Sequence, residues 1–285
     1  MTSKFIKTGN PIGKTDLVTS IIKGLAGTMT VEKKSIHGAD AAFCSRKANL
    51  HIAVKSPGRE PIDPSSTLYF SIGNAIHNDI QNALKNSGLL IANELKIEYG
   101  PVRGYIDDVI VSSETGGLKI IDVKTCGQLP AKIKPGQAEQ LLCYALLTGI
   151  SEASIIYVSR NVANFSGLMI KEIPAPVNMT SMSNIARVVA ESIKYNSYKM
   201  VPPRPEYRPT ESGCGWCPFK NNGCWSETEG KRELLPDWEY LNDTELPAPE
   251  LEISILAQKL LAAKTEFYSK TINSNLALLK WSLTK

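Results

Sequence analysis

The chain has 285 residues, of which 42% are hydrophobic and 21% charged, and a formal net charge of +4. These values are typical of a soluble globular protein with one large domain or one domain and an appendage, and the small positive charge permits a nucleic-acid partner without requiring one. No stretch is long and apolar enough to span a bilayer, and residues 1–10 lack the apolar core of a signal peptide. The six cysteines are too unevenly spread for a secreted disulfide scaffold, so we expect a cytoplasmic protein without a membrane partner.

The predicted elements, taken in chain order, alternate between helices and strands. Apolar residues at helical spacing or in short runs define them, and glycines mark their ends. The order predicts an α/β core with a small mixed sheet. The predicted elements are a short helix near 15–25, a helix over 71–87 ending at Gly88, strands over 89–98, 102–111 and 118–123 with a turn at Gly116–Gly117, a helix over 136–149, strands over 153–158 and 167–173, a helix over 178–198, and a helix from 250 to about 279.

Acidic and basic residues gather at the ends of two predicted strands. Side chains alternate along a strand, so Asp122 and Lys124 lie on one face, and hairpin pairing brings Asp107 opposite or near Asp122. Carboxylate oxygens are the ligands that Mg²⁺ prefers, and a lysine can orient or help deprotonate a bound water for attack on phosphorus. His77, on the preceding helix, could add a ligand. The pattern indicates a metal-assisted phosphodiester chemistry.

Three neighbouring residues have a less specific signal. Gln140 and Tyr144 are four residues apart and therefore share one helix face, where they could hold a DNA strand or brace the active site. Asp108 is expected to be a solvated or supporting neighbour of Asp107 rather than a ligand.

The cysteines form a second candidate site. Cys214 and Cys217 are separated by two residues, Cys224 follows, and Cys44 is the best candidate for a fourth ligand. Four thiolates suit Zn²⁺ and a [4Fe–4S] cluster alike. Such a site would join distant parts of the chain, which mainly stabilises the fold. Cys126 and Cys143 fall outside this pattern, and we expect both to be uninvolved.

These motifs together resemble those of RecB-type PD-(D/E)XK nucleases. Gly-x-x-Asp ends at Asp107, Asp-x-Lys spans 122–124, Gln-x-x-x-Tyr spans 140–144, and Gly73 to His77 is similar to the Gly-x-x-x-His helix of that family. The cysteines resemble its iron–sulfur branch, which includes CRISPR-associated RecB-like exonucleases and the AddB nuclease domain. The resemblance covers residues 36–226, which we take as the nuclease domain, with an N-terminal segment over 1–35 and a helical extension over 227–285.

The resemblance implies a PD-(D/E)XK restriction-endonuclease-like core, a mixed sheet flanked by helices, with a cysteine-bound cluster joining its N- and C-terminal parts. It also implies a role for each motif residue. The implied metal ligands are His77, Asp107, Asp122 and the carbonyl of Val123; the implied catalytic lysine is Lys124, assisted by Gln140 and Tyr144; and the implied [4Fe–4S] ligands are Cys44, Cys214, Cys217 and Cys224, with zinc as the alternative.

The implied activity is that of a Mg²⁺- or Mn²⁺-dependent deoxyribonuclease, an exonuclease on single-stranded DNA or DNA ends. Recombination, repair, DNA degradation and CRISPR adaptation are all open as its context. The sequence has no Gly-x-x-x-x-Gly-Lys-Ser/Thr loop, so unwinding would come from a partner such as a helicase, and a recombinase or integrase partner is also open. The alternative is a non-catalytic nucleic-acid-binding or assembly module on the same fold.

Overall fold

The structure is a computed structural model that describes most of the central part of the chain. The described residues are 35–54, 64–160, 169–203, 234–240 and 250–262, together with Cys214, Cys217, Phe219 and Cys224. The predicted helix near 15–25 and the part of the last predicted helix beyond 262 lie outside them.

The predicted elements from residue 71 to 198 are present, and most of their bounds agree to within three residues. The exception is the helix predicted over 71–87, which begins a further two turns upstream, and three short elements before it were not predicted. The elements are β1 (Ile36–His37), α1 (Gly38–Phe43), α2 (Ser45–Ala53), α3 (Pro64–Asn86), β2 (Leu90–Tyr99), β3 (Val102–Val111), β4 (Leu118–Cys126), α4 (Pro135–Thr148), β5 (Glu152–Ser159), β6 (Ile170–Pro174), α5 (Met179–Tyr198), β7 (Met200–Val201), β8 (Glu239–Tyr240) and α6 (Glu250–Ala262).

The main sheet is mixed and has six strands in the order β1-β3-β4-β5-β6, with β2 also paired to β3. β2 runs antiparallel along β3 between Val102 and Ile110, which occupies one edge of β3. The other edge is shared: β1 pairs in parallel at Val102 and Arg103, and β4 pairs antiparallel from Asp108 to Val111. On this second edge, residues 104–107 of β3 therefore lie in the gap between β1 and β4. A side chain from this gap can take the place of a backbone hydrogen-bond partner.

Helices cover both faces of the sheet. Ile120 belongs to the large core that also contains α4 and α5, whereas its neighbours Ile121 and Val123 pack with Ile76 and Ile80 of α3. Adjacent strand residues point to opposite faces, so α4 and α3 lie on opposite sides of β4. The predicted mixed sheet flanked by helices is confirmed.

α2 and described residues between 201 and 238 form a separate small core. Leu50 and Ala53 of α2 pack with Phe219, Cys224 and Trp238. α6 packs on α5, and its Ile253 and Leu260 join the large core. Among the residues that the structure describes, no helix is both long and apolar enough to cross a membrane.

Candidate active site

Asp122 and Lys124 form an ion pair on one face of β4. The Lys124 Nζ atom lies 2.9 Å from Asp122 Oδ1, to which it donates a hydrogen bond, and 2.7 Å from Oδ2. Asp122 is only 1% exposed, and its burial raises the pKa of the carboxyl to about 6 although Lys124 opposes the shift. Burial alone would lower the pKa of Lys124, but the carboxylates of Asp122 and Asp107 outweigh it and raise that pKa. The lysine is therefore held as a cation beside a buried carboxylate.

Asp107 lies at the gap on the edge of β3, close to β4. Its Oδ2 atom accepts a hydrogen bond from the Val123 backbone N–H at 3.0 Å. The Asp107 side chain thus links β3 to β4 beyond the last backbone pair of the two strands. The same oxygen is 3.6 Å from Nδ1 of His77 on α3. The structure thus brings together His77, Asp107, Asp122 and Lys124 and places the Val123 backbone beside them.

Gln140 and Tyr144 brace this arrangement from α4. The Gln140 Nε2 atom donates to Asp122 Oδ1 at 3.3 Å and to the Tyr144 hydroxyl at 3.1 Å. Tyr144 is 1% exposed, and its ring packs against Gly104, where an added Cβ would come within 2.7 Å of Tyr144 Cε1. Of the two roles considered for this pair, the contacts favour bracing: Tyr144 is inside the core, and Gln140 orients Asp122.

Two site residues were missed from the sequence. Gln81 of α3 donates to the Asp107 carbonyl oxygen and to Glu94 Oε1, both at 3.4 Å. Glu94 has a φ of 46°, a left-handed conformation that is uncommon for this residue type and is found where surrounding structure enforces it. Gln81 is four residues after His77, so helical spacing was the signal that could have found it. Nothing in the local sequence indicated the left-handed backbone conformation of Glu94.

Asp108 is fully buried, which corrects the first of the two expectations for it, a solvated neighbour of Asp107. Within the described structure neither of its carboxylate oxygens has a hydrogen-bond partner. Burial, followed by repulsion from Asp107, Glu94 and Asp122, raises its pKa to about 7. Its pairing with Asn93 on one side and Ile121 on the other makes it an interior position of the sheet.

The raised pKa values of Asp108 and Asp122 make the free energy of unfolding of the metal-free protein depend on pH. Between about pH 4 and pH 7 the folded protein binds more protons than the unfolded chain, so these groups lower the free energy of unfolding as pH rises. We expect Asp108→Asn to be more stable than wild type at about pH 8, by about 1–3 kcal/mol, because the neutral amide removes a buried negative charge that the neighbouring carboxylates repel.

Thermal unfolding in EDTA across this pH range measures the effect. The advantage of Asp108→Asn should shrink toward pH 4, where the aspartate is protonated. An advantage that is constant across the range would contradict the role of the buried charge.

The donor set of the site suits a divalent cation. Two carboxylates and a backbone carbonyl are oxygen ligands of the kind that Mg²⁺ and Mn²⁺ prefer, and the His77 imidazole lies beside them. A fully buried ionisable carboxylate such as Asp122 is stabilised by a nearby cation. Among the described residues, no group of three or more His, Cys, Asp and Glu side chains converges closely enough to hold a metal ion. In this arrangement the Lys124 ammonium lies against Asp122 in the position of its counter-ion.

The structure also brings Cys44 to the late cysteines. Burial raises the pKa of the Cys44 thiol to about 11, and the nearby Cys224 and Cys217 thiols add to the shift. Cys44 Sγ caps α2 by accepting the Lys47 N–H at 3.5 Å, and the Arg46 side chain hydrogen-bonds to Cys224. All six cysteines are free thiols. Cys44 therefore lies within electrostatic reach of Cys217 and Cys224 and beside two basic side chains, but among the described residues no three of these thiols converge closely enough to hold a metal ion.

Comparison with known proteins places the chain in a family. The family model of the PD-(D/E)XK nuclease superfamily matches residues 77–222, just over half of the chain. The chain belongs to the PD-(D/E)XK nuclease superfamily, whose members are usually phosphodiesterases that use divalent metals.

Two further comparisons add little to this assignment. The crystal structure of SSO0001 is similar in fold, with 16% identity and a TM-score of 0.42 over 73% of this chain and 96% of that one. A search of the curated proteins gave no match.

Proposed function

We propose that the protein is a Mg²⁺- or Mn²⁺-dependent deoxyribonuclease of the RecB type that acts as an exonuclease on single-stranded DNA or DNA ends. The observation that carries the proposal is that the Asp122–Lys124 ion pair lies beside Asp107 and His77, where β3 and β4 part. Superfamily membership supports phosphodiester hydrolysis, and the order of the motifs supports the narrower branch.

In this proposal the metal is held by His77, Asp107, Asp122 and the carbonyl of Val123. When bound, the cation supplies Lewis-acid activation of the scissile phosphate and of a water. Asp107 is kept in place by the Val123 N–H, and Asp122 by Gln140, so the two carboxylates are oriented before metal or DNA arrives.

Lys124 supplies positive charge at the reacting phosphate. Its raised pKa keeps the ammonium protonated at neutral pH, so it donates hydrogen bonds and does not act as a base in the resting site. With DNA bound, the ammonium would orient the attacking water and stabilise negative charge that develops on the phosphate oxygens. The carboxylate of Asp122 holds the lysine in position for this role.

A time course on end-labelled single-stranded DNA, with Mg²⁺, Mn²⁺ and EDTA arms, tests the function. We expect metal-dependent shortening from one labelled end and none in EDTA, and the labelled end that shortens gives the polarity. Folded protein that cleaves no form of DNA in either metal would contradict the proposal and favour a non-catalytic nucleic-acid-binding module.

We further propose that Cys44, Cys214, Cys217 and Cys224 hold a [4Fe–4S] cluster. The support is the spacing of the cysteines in the sequence, since four thiolates form a donor set for such a cluster or for Zn²⁺, and the electrostatic contact of Cys44 with Cys217 and Cys224. Arg46 and Lys47 would offset the negative charge of the thiolates and the group that they hold. Because the four ligands come from both ends of the domain, binding of the group would contribute directly to folding.

Replacing Cys224 with alanine should lower stability before it affects the chemistry. Cys224 is buried in the small core with Leu50, Phe219 and Trp238, so the variant loses both a ligand and packing. We expect lower yield, a lower unfolding temperature and loss of the brown colour of anaerobically purified protein. Cys126→Ala is the matched control, since it changes another buried cysteine outside the cluster. A colourless wild type would favour zinc, and a colourless Cys224→Ala of full stability would contradict the structural role.

The biological partners are also proposals. The +4 charge and the nuclease site support DNA as the substrate. A helicase, recombinase or integrase would supply exposed strands in recombination, repair, DNA degradation or CRISPR adaptation.

A further inference from the structure

The first half of α3 exposes large apolar side chains beside the active site. Leu68, Tyr69, Phe70 and Ile72 are 47%, 56%, 55% and 37% exposed. Further along the same helix, Ile76 and Ile80 pack against the sheet. The buried face of α3 thus begins only about two turns after its exposed aromatic residues, and four large apolar side chains close together on an exposed helix are typical of a binding surface.

Phe70 is aligned with His77, the proposed metal ligand of the same helix, whereas Tyr69 lies about 100° further round the helix. Phe70 and His77 are seven residues apart, which places them on one face and about 10.5 Å apart along the axis. That distance corresponds to about three stacked nucleotides at 3.4 Å each. The helix also approaches β4 directly, since a Cβ added at Gly73 would lie 3.7 Å from Oγ1 of Thr125, the residue after Lys124.

Two basic side chains lie at the same end of the sheet. The Arg160 guanidinium is 4.5 Å from the centre of the Tyr69 ring, and the Arg160 backbone N–H donates to the Cys126 carbonyl at 2.7 Å. Burial raises the pKa of the Cys126 thiol, whereas Lys134 and Arg160 lower it, so both cations are within electrostatic reach of the end of β4. This combination of aromatic rings and cations complements bases and phosphates.

We propose that Tyr69 and Phe70 form a stacking platform for the unpaired bases of a single-stranded nucleic acid, with Arg160 and Lys134 contacting its phosphates. The inference rests on the proposed nuclease function and names the residues that would hold its single-stranded substrate. Single strands expose the base faces that aromatic rings bind, whereas duplexes stack those faces on one another. Phe70 would hold the strand about three nucleotides from the metal that His77 is proposed to bind.

Binding of a short fluorescein-labelled single-stranded oligonucleotide, measured by anisotropy in EDTA so that no cleavage occurs, tests the platform. Tyr69→Ala and Phe70→Ala should each bind about 5- to 150-fold more weakly than wild type. Tyr198→Ala is the matched control, because Tyr198 is a 40% exposed aromatic residue on α5 that contacts α6, and its binding should be unchanged. An abasic site about three nucleotides from the cleaved phosphate should weaken binding to wild type and not to Phe70→Ala.

The experiment distinguishes failure of the stacking platform from failure of the proposed nuclease function. Wild type that cleaves and binds DNA while Tyr69→Ala and Phe70→Ala bind equally well would overturn the platform and leave the nuclease intact. Variants that alter only the oligomeric state on gel filtration would overturn it in favour of a protein interface. Wild type that neither binds nor cleaves DNA would overturn both the platform and the nuclease.

Discussion

Replacing Lys124 with alanine is expected to lower the rate of DNA cleavage by about 100- to 10,000-fold while the protein remains folded. The substitution removes the charge that faces the reacting phosphate. It also removes the counter-ion of the buried Asp122, whose pKa is already raised to about 6 with the lysine in place. Asp122 would then bind a proton more readily, which weakens metal binding at neutral pH. Single-turnover cleavage at several metal concentrations separates these two effects.

The control for Lys124→Ala is Lys119→Ala on the same strand. Lys119 forms an ion pair with Glu172 at the far end of β4, so the substitution removes a comparable partly buried lysine away from the site. Cleavage by Lys119→Ala should match wild type. Wild-type activity in folded Lys124→Ala would rule out the proposed role of the lysine.

Replacing Gly104 with alanine should disturb the site by displacing Tyr144 and, with it, Gln140. The new Cβ would lie 2.7 Å from Tyr144 Cε1 and 3.4 Å from Ile97 Cγ1, in a core with no room for it. Overpacking of this kind costs about 1–3 kcal/mol of stability. A displaced Tyr144 shifts Gln140, and with it Asp122, and a shift of about 1 Å in a catalytic group lowers rates by about 100-fold. Thermal unfolding and kcat measure the two consequences.

Two variants separate packing from bracing. Gly127→Ala introduces a Cβ with no atom within 4 Å, so it should leave both stability and kcat unchanged. Tyr144→Phe keeps the ring and removes the hydroxyl that accepts from Gln140, so it should lower kcat with a stability loss of only about 1 kcal/mol. Equal kcat for Tyr144→Phe and wild type would show that the hydrogen bond to Gln140 does not position Asp122.

Much of the site was predictable because short-range rules govern it. Strand alternation alone places Asp122 and Lys124 on one face, and the turn at Gly116, where φ is +67°, is of the type that only glycine adopts readily. Helical spacing placed Gln140 and Tyr144 together. These features depend on neighbours within a few residues, so the sequence contains the information directly.

The rest depends on long-range arrangement. β1 has two residues and pairs with β3 some 66 positions later, a contact without a local signal. The gap that lets Asp107 reach the Val123 N–H exists only because β1 and β4 share one edge of β3. Burial of Asp108 follows from the same arrangement of strands. α1 and α2 were missed because six and nine residues are too few for a clear helical pattern.

Anomalous diffraction from a wild-type crystal soaked in Mn²⁺ would show which residues bind the metal. We expect a manganese peak bound by the carboxylates of Asp107 and Asp122 and the imidazole of His77, with the Lys124 ammonium displaced from its present contact with Asp122. A manganese ion bound by other residues, with the pair of Asp122 and Lys124 unchanged in a crystal of active protein, would contradict this expectation.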